Sequence, residues 1–310
     1  MKERPKVAIK AKGTSLQKCV AYFREDSMPA VRVICTLGVL LWLVAAIDGL
    51  KSVFLSRFSS VNSEEFQTHI RDHVLPWKGK AGRLVYCGTA MSHYREESDK
   101  TRGEQRRKAR YDAKKKMKEL QTAFDLQDAA LLELDREETT VETMKKMLSG
   151  DSLMLYVDGG NTFYLQKMMN DLDFWSVAVP AMEDSGAVYF GASAGSICAG
   201  ATCEVALFKG WDDPYANGAI DKAYTWDKDT YKGPSLNGDK SLHLFPHFDP
   251  STNAHDTLIK KEMAAILTPD STVIALADDE ALISGVEEEP YCWCSGVGAR
   301  IHPRVYTQGG

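Results

Sequence analysis

Short apolar runs that alternate with helical patterns constrain the fold of this chain more than any other feature of its sequence. Each run is apolar on both faces, which is typical of strands buried in a parallel sheet with helices covering both sides. The runs lie at 52–56, 82–90, 129–135, 153–165, 186–195, 241–249 and 272–284. They predict an α/β fold over residues 51–310, with a doubly wound, mainly parallel sheet.

The helical patterns between these runs have recognisable ends. Asn62 and Glu65 have the spacing of a capping box, and Ser149-Gly150 closes the pattern that begins at residue 140. Ten basic residues lie between Lys100 and Lys118. On a helix, such a run favours a solvated face, with a polyanion or membrane-surface site as the alternative.

Composition excludes some functions. The formal net charge of −5 argues against general nucleic-acid binding, so we expect no nucleic-acid partner. The 7 cysteines lack metal-ligand spacing, and the pair Cys292 and Cys294 is too close for a zinc knuckle. We therefore predict reduced cysteines, no metal and a cytoplasmic protein.

Residues 1–50 form an N-terminal extension whose apolar segment, residues 33–47, bears on localisation. A membrane-spanning helix needs about 20 apolar residues, so the segment is short for an anchor. It resembles the apolar region of a signal peptide, although 32 residues precede it. The alternatives to a cytoplasmic protein are thus a secreted one or a membrane-anchored one that associates with the bilayer through residues 33–47.

Three polar or glycine-rich turns follow predicted strands, where ligands bind in open α/β sheets. The first, Gly191-Ala192-Ser193-Ala194-Gly195, matches the G-x-S-x-G pattern, in which small residues permit a turn that exposes the serine hydroxyl. Backbone N–H groups of the following helix could stabilise an oxyanion. Ser193 is therefore the candidate nucleophile, with Ser196 a weaker rival and a plain tight turn the alternative.

The second turn is DGGNTF, residues 158–163. Its adjacent glycines, Gly159 and Gly160, permit close approach of a substrate and offer N–H groups to an oxyanion. Asn161 is a candidate for substrate binding, or alternatively a helix cap. Neither a Walker A motif nor a Rossmann fingerprint is present, so no phosphate or dinucleotide cofactor is predicted.

The third turn contains the candidate general base. His247 lies at the end of an apolar run, whereas His243 lies within it and is expected to be structural. An acid is needed to orient the base, and Asp212 and Asp213 lie between the serine and the histidine. Other acids in the same region stay open as alternatives: Asp221, Asp227 and Asp229.

Taken together, the segments YVDGGNTFYLQKMM, GASAG, LFPHFD and VIALADDEALI resemble the dipeptidase E (aspartyl dipeptidase) family of serine peptidases, relatives of cyanophycinase. The similarity extends from about Ser52 to residue 285. It implies a flavodoxin-like sheet, as in class I glutamine amidotransferases, with serine in place of their cysteine. The asparagine of GGNTF favours the dipeptidase branch over the cyanophycinases. Asp158 replaces a glycine common in the family, and Asp278 stands where glutamate is usual.

The resemblance implies a serine peptidase that cleaves dipeptides with N-terminal aspartate and needs no cofactor. Ser193 would be the nucleophile and His247 the base, while Gly160 and Ala194 would bind the oxyanion. Asp212 or Asp213 would be the acid, with a short insertion, and Asp278 would contribute to the pocket. The alternatives are an isoaspartyl or cyanophycin-type peptidase, and an inactive member that acts as a binding or membrane-tethered module. A homodimer is a further expectation.

Overall fold

A computed structural model describes residues 50–77, 82–93, 101–210, 212, 214 and 226–308. The strands are β1 Ser52–Leu55, β2 Gly82–Cys87, β3 Leu126–Leu132, β4 Leu153–Val157, β5 Val188–Ala192, β6 Leu242–Phe248, β7 Thr272–Ala277, β8 Glu280–Ser284, β9 Tyr291–Cys294, β10 Ala299–Ile301 and β11 Arg304–Thr307. The α-helices are α1 Glu64–His69, α2 Arg102–Phe124, α3 Val141–Leu148, α4 Thr162–Asp171, α5 Phe174–Ser185, α6 Ala194–Cys198 and α7 Ala254–Ile266. Single turns of other helix types occur at Phe58–Asn62, Ile70–Val74, Thr89–Ser92 and Glu204–Leu207.

Eight of these strands form the main sheet, in the order β10-β9-β8-β1-β5-β4-β2-β3. The five strands from β1 to β3 in that order run parallel, and β8, β9 and β10 extend the sheet with antiparallel pairing. Parallel neighbours require long crossover connections, and the helices provide them. The predicted α/β, doubly wound fold with a mainly parallel sheet is confirmed.

Hydrophobic cores lie on both faces of the sheet because successive strand residues point to opposite sides. Val53 and Leu55 of β1 pack with α1 and α2, whereas Phe54 packs on the other face with α3, α4 and α5. All three residues have no exposed surface. The near-continuous apolar strands of the sequence are thus explained by burial on both sides.

A second sheet of three strands, in the order β11-β7-β6, packs into the core on the side of α6 and α7. The apolar run at 272–284, which was expected to supply strand structure, forms two strands that belong to different sheets. The chain leaves the second sheet after Ala277 and enters the main sheet at Glu280. A turn at Asp278 and Asp279 therefore connects the two sheets.

Helix starts follow the side-chain chemistry that caps them. The first helix begins after Ser63, whose hydroxyl accepts a hydrogen bond from the Phe66 N–H, so Ser63 and not Asn62 is its N-cap. Helix α2 begins with a complete capping box between Thr101 and Glu104. These bonds satisfy N–H groups that have no acceptor inside the helix.

The predicted extension 1–50, with its segment 33–47, lies outside the described residues apart from Leu50. Among the helices that the structure does describe, none is long and apolar enough to cross a membrane. Five cysteines fall within the described ranges, all buried and none in a disulfide.

Candidate functional site

The carboxyl ends of three neighbouring parallel strands meet at one edge of the main sheet. In register, Leu55 at the end of β1 lies opposite Ala192 of β5, and Val157 at the end of β4 lies opposite Gly191. The residues that follow these strands therefore gather at one place, as expected for a ligand site in an open α/β sheet. Ser193 follows β5 there.

Ser193 sits on a strained turn between β5 and α6. Its φ of 49° and ψ of −109° are uncommon for a residue with a side chain, and its N–H donates to the Leu55 carbonyl at 3.0 Å. Such a turn exposes a hydroxyl at the top of the sheet. The rival candidate, Ser196, is fully buried and its hydroxyl bonds main-chain carbonyls, including that of Leu55 at 2.8 Å, so its role is structural.

The hydroxyl of Ser193 lies 2.9 Å from Nε2 of His247, near the end of β6. His247 also has a positive φ, 56°, and its N–H donates to the Ser56 hydroxyl at 2.7 Å. Lys209 Nζ donates to the carbonyls of Pro246 and His247, at 2.8 and 2.7 Å. An uncommon backbone conformation is thus held from both sides, and it directs the imidazole at the serine.

The other imidazole nitrogen, Nδ1, donates to Oδ1 of Asp278 at 2.7 Å. The second oxygen of that carboxylate pairs with the Arg57 guanidinium at 2.8 Å, and the Asp278 carbonyl accepts from the Ser60 hydroxyl at 3.0 Å. An ionised carboxylate only accepts hydrogen bonds, so Nδ1 carries the proton and Nε2 can accept one. The geometry is that of a serine–histidine–acid triad.

The acid predicted from the sequence is corrected by this arrangement. Asp212 lines the same cavity as Ser193 and His247, but its Oδ2 accepts a hydrogen bond from the Thr162 N–H at the start of α4, at 2.9 Å. Of the other acids considered, Asp227 accepts backbone N–H bonds within its own turn, and Asp229 pairs with Lys232. Asp213 and Asp221 lie outside the described residues.

Asp278 reaches the histidine because of the turn between the two sheets. Glu280, which is 3% exposed, accepts the Ala277 N–H at 2.9 Å and pairs with Arg304. Since β6 and β7 are neighbours in the second sheet, the end of β7 delivers Asp278 next to His247 at the end of β6. The resemblance had placed Asp278 in the pocket, but no local sequence signal marks it as the acid that orients His247.

The turn after β4 lies against Ser193. A Cβ atom added to Gly159 would come within 3.0 Å of the Ser193 Cβ. The Gly160 φ of 142° suits glycine, and a Cβ there would lie 2.2 Å from the Ala90 carbonyl oxygen. Gly160 is therefore required by the close approach of the Ala90 backbone, whereas a side chain at Gly159 would crowd Ser193.

Two of the predicted oxyanion or substrate groups have other partners. The Gly159 N–H donates to Asp158 Oδ1 at 2.8 Å, and the Asn161 N–H donates to Ala90 at 3.0 Å. The Asn161 side chain caps α4 by accepting the Tyr164 N–H. Gly160, which lines the site, and Ala194, the first residue of α6, remain the candidates for oxyanion donors.

The environment of His247 keeps its imidazole neutral. Burial lowers the pKa of His247 below 6.5, which outweighs the opposite effect of Asp278. Lys209 and Arg57 act in the same direction as burial because a second positive charge nearby disfavours protonation. A neutral imidazole at Nε2 is the form that accepts a proton from a serine hydroxyl.

Two cavities meet at the serine. The larger, of about 590 Å³, is lined by Lys209, Asp212 and His255, among other residues, and the smaller, of about 400 Å³, by Phe58, Lys116 and Asp158. Both include four residues of the nucleophile region: Arg57, Gly160, Ser193 and His247. Within the described ranges, no group of three or more histidine, cysteine or acidic side chains is arranged to hold a metal ion.

Sequence reasoning missed three cationic residues at this site. Arg57 lies two residues after the end of β1, so the strand-end rule that located Ser193 could have found it. Lys116 lies in the basic run of α2, and nothing in its spacing separates it from the exposed lysines beside it. Lys209 follows a short turn, Glu204–Leu207, and reaches His247 only through the tertiary fold.

Comparisons with known proteins agree with this geometry. The sequence model of peptidase family S51 matches residues 107–287, which is more than half of the chain. Comparison with curated proteins finds no match. A protein assigned as a peptidase E from Listeria monocytogenes EGD-e has a similar fold, with a TM-score of 0.51 and 16% identity over 79% of this chain and 98% of its own. A peptidase from an acI-B1 actinobacterium is similar at a TM-score of 0.51 and 15% identity, over 84% of this chain and 96% of its own.

Proposed function

Because this chain belongs to peptidase family S51, we propose that it hydrolyses short peptides through an acyl-enzyme formed on Ser193. The observation that carries the proposal is the continuous series of hydrogen bonds from the Ser193 hydroxyl through His247 to Asp278, at 2.9 and 2.7 Å. The resemblance to dipeptidase E supports dipeptides with N-terminal aspartate as the substrates.

In the first half of the reaction, His247 Nε2 takes the hydroxyl proton while the Ser193 oxygen bonds to the peptide carbonyl carbon. The resulting oxyanion would be stabilised by the N–H groups of Gly160 and Ala194. His247 then gives its proton to the leaving amine as the C–N bond breaks. An ester between the acyl group and Ser193 remains.

In the second half, His247 takes a proton from water, whose oxygen attacks the ester carbonyl. The C–O bond to Ser193 breaks, and the serine oxygen recovers its proton from His247. Throughout, Asp278 holds the imidazole in the tautomer that accepts at Nε2 and stabilises the imidazolium that forms. Arg57 keeps the Asp278 carboxylate in place by binding its other oxygen.

The direct test combines hydrolysis with covalent labelling. We expect unmodified protein to cleave Asp-Leu and to react with a fluorophosphonate probe at Ser193, located by mass spectrometry of the digested adduct. Ser193→Ala and His247→Ala should lose both activities. Ser196→Ala is the matched control and should still be labelled at Ser193, since its hydroxyl bonds only main-chain carbonyls.

The same assay separates the alternatives. Cleavage of β-linked but not α-linked Asp-Leu would assign an isoaspartyl specificity to this site. A correctly folded protein that neither reacts with the probe nor cleaves any peptide of an Asp-X panel would contradict the proposal and favour an inactive family member.

A further inference from the structure

Lys116 is the one residue of the basic run on α2 that lines a cavity containing Ser193, among the described residues of that run. Its side chain is 25% exposed, whereas the side chain of the preceding residue, Lys115, is 72% exposed. The ammonium of Lys116 lies 2.7 Å from Asp158 Oδ2 and 5.1 Å from the centre of the Phe58 ring. A positive charge is therefore held within the smaller cavity.

The partner of this lysine is fully engaged. Asp158 Oδ2 accepts hydrogen bonds from the Tyr86 hydroxyl and from Lys116, and its Oδ1 accepts the Gly159 N–H. Its side chain is only 2% exposed. Both residues line the cavity, but both oxygens of the Asp158 carboxylate are already hydrogen-bonded and nearly buried, whereas the Lys116 side chain is 25% exposed. The pair therefore presents donors rather than acceptors to a bound molecule.

Asp158 also connects the lysine to the catalytic turn. The same carboxylate that holds Lys116 accepts the N–H of Gly159, the residue packed against Ser193. Tyr86, which donates to Asp158, is itself held by stacking on Tyr156 with ring centres 5.2 Å apart. The ammonium is thus fixed relative to the nucleophile before a substrate binds, which lowers the entropic cost of binding.

An ammonium has three N–H donors, and that of Lys116 meets Asp158 Oδ2 at 2.7 Å and the Met91 sulfur at 3.7 Å, so a further donor can bind a second carboxylate. We propose that Lys116, positioned by Asp158, binds a carboxylate of the peptide substrate beside Ser193. This inference rests on the proposed function for the identity of the substrate as a short peptide. The carboxylate belongs either to the side chain of an N-terminal aspartate or to the C-terminus of a dipeptide.

Four substrates distinguish these two sources: Asp-Leu, Asn-Leu, Asp-Leu-amide and Asn-Leu-amide. The amide of asparagine removes the side-chain charge, and the C-terminal amide removes the terminal charge. Hydrogen bonds between charged groups are among the stronger ones, so we expect Lys116→Gln to raise KM by about tenfold to a hundredfold for substrates that keep the recognised carboxylate. For substrates that lack it, KM should not depend on Lys116.

Matched variants separate recognition from folding. Glutamine has nearly the helix propensity of lysine, so Lys116→Gln should preserve α2. Lys115→Gln makes the same change one position earlier and should leave KM unchanged. Lys116→Arg keeps the charge and should restore most of the binding. Asp158→Asn should raise KM more than it lowers kcat if Asp158 positions the lysine.

Binding is also measured without catalysis, so that the carboxylate site at Lys116 and the peptidase activity are tested independently of each other. In the Ser193→Ala background, calorimetry should give a Kd for Asp-Leu that rises by a similar factor when Lys116 is replaced by Gln. An unchanged Kd, or no binding to Ser193→Ala at all, would overturn the carboxylate site. Labelling and hydrolysis of the unmodified protein test the peptidase proposal independently of that result.

Discussion

Asp278 Oδ1 accepts a hydrogen bond at 2.7 Å from His247 Nδ1, although the two residues are 31 positions apart and lie at the ends of different strands. The Asp278 side chain is 47% exposed, and its carboxylate forms an ion pair with the Arg57 guanidinium. Exposure allows water to compete for the carboxylate, and the arginine holds it in place. The orienting acid is therefore secured by an ion pair rather than by burial.

Replacement of this acid should reduce catalysis strongly. We expect Asp278→Asn to lower kcat by about 10²- to 10⁴-fold, because an amide can favour the wrong tautomer of His247 and cannot stabilise the imidazolium. Asp212→Asn keeps an oxygen that can accept the Thr162 N–H, so its kcat should stay close to that of the unmodified protein. Steady-state kinetics of both variants on Asp-Leu make the comparison. A larger loss for Asp212→Asn would show that the acid lies in the other loop.

The pH dependence of kcat/KM should report the environment of His247. Burial lowers its pKa below 6.5, so the neutral, proton-accepting form persists to lower pH than in an exposed histidine. Activity should accordingly fall only below an apparent pKa that lies under 6.5. In Asp278→Asn, the decrease of kcat/KM at acidic pH should occur at still lower pH, because Asp278 raises the pKa of His247. An apparent pKa at or above 6.5 for the acidic side of the kcat/KM profile of the unmodified protein would contradict the assignment of His247 as a buried base.

Lys209 should influence both the geometry and the charge of the site. Its ammonium bonds the carbonyls of Pro246 and His247, and burial lowers its own pKa to about 7, so it is mostly charged at the acidic pH where kcat/KM decreases. We expect Lys209→Met to lower kcat by releasing the strained His247 backbone. The decrease of kcat/KM at acidic pH should occur at higher pH, since a cation that disfavours protonation of His247 is removed.

Lys209→Arg retains both donors and charge and serves as the control for that experiment. Its pH profile should resemble that of the unmodified protein, with a smaller loss in kcat. Superimposable profiles for Lys209→Met and the unmodified protein would mean that the lysine neither positions His247 nor alters its protonation.

Gly160 should tolerate no side chain. Its φ of 142° and the 2.2 Å approach of an added Cβ to the Ala90 carbonyl oxygen predict that Gly160→Ala destabilises the protein by more than about 1 kcal/mol. Gly103→Ala is the matched control. It lies in α2 with no atom within 4 Å of the added Cβ, and alanine favours helices, so its effect should be neutral or stabilising. Denaturant unfolding measures both, and equal stability of the two variants would contradict the strained turn.

Much of the site follows from rules that act over short distances. Buried strands, their glycine-rich ends and the strained turn at Ser193 depend on residues close together in the chain, and so they were predictable. The parallel order of the strands then brings Gly160 and Ser193 together, because strand ends in such a sheet share one edge. His247 was predictable on the same basis.

The acid and the cationic residues were not predictable, because their roles depend on which sheet or cavity a segment reaches. Asp212 and Asp278 are both acids in turns, and the split of residues 272–284 between two sheets places only Asp278 beside His247. Lys116 differs from Lys115 by one helical position, a rotation of about 100°. That rotation points one side chain into the cavity and the other into solvent. The sequence by itself determined the strands, their turns and Ser193 as the candidate nucleophile, whereas only packing between distant segments placed Asp278 beside His247 and Lys116 in the cavity at Ser193.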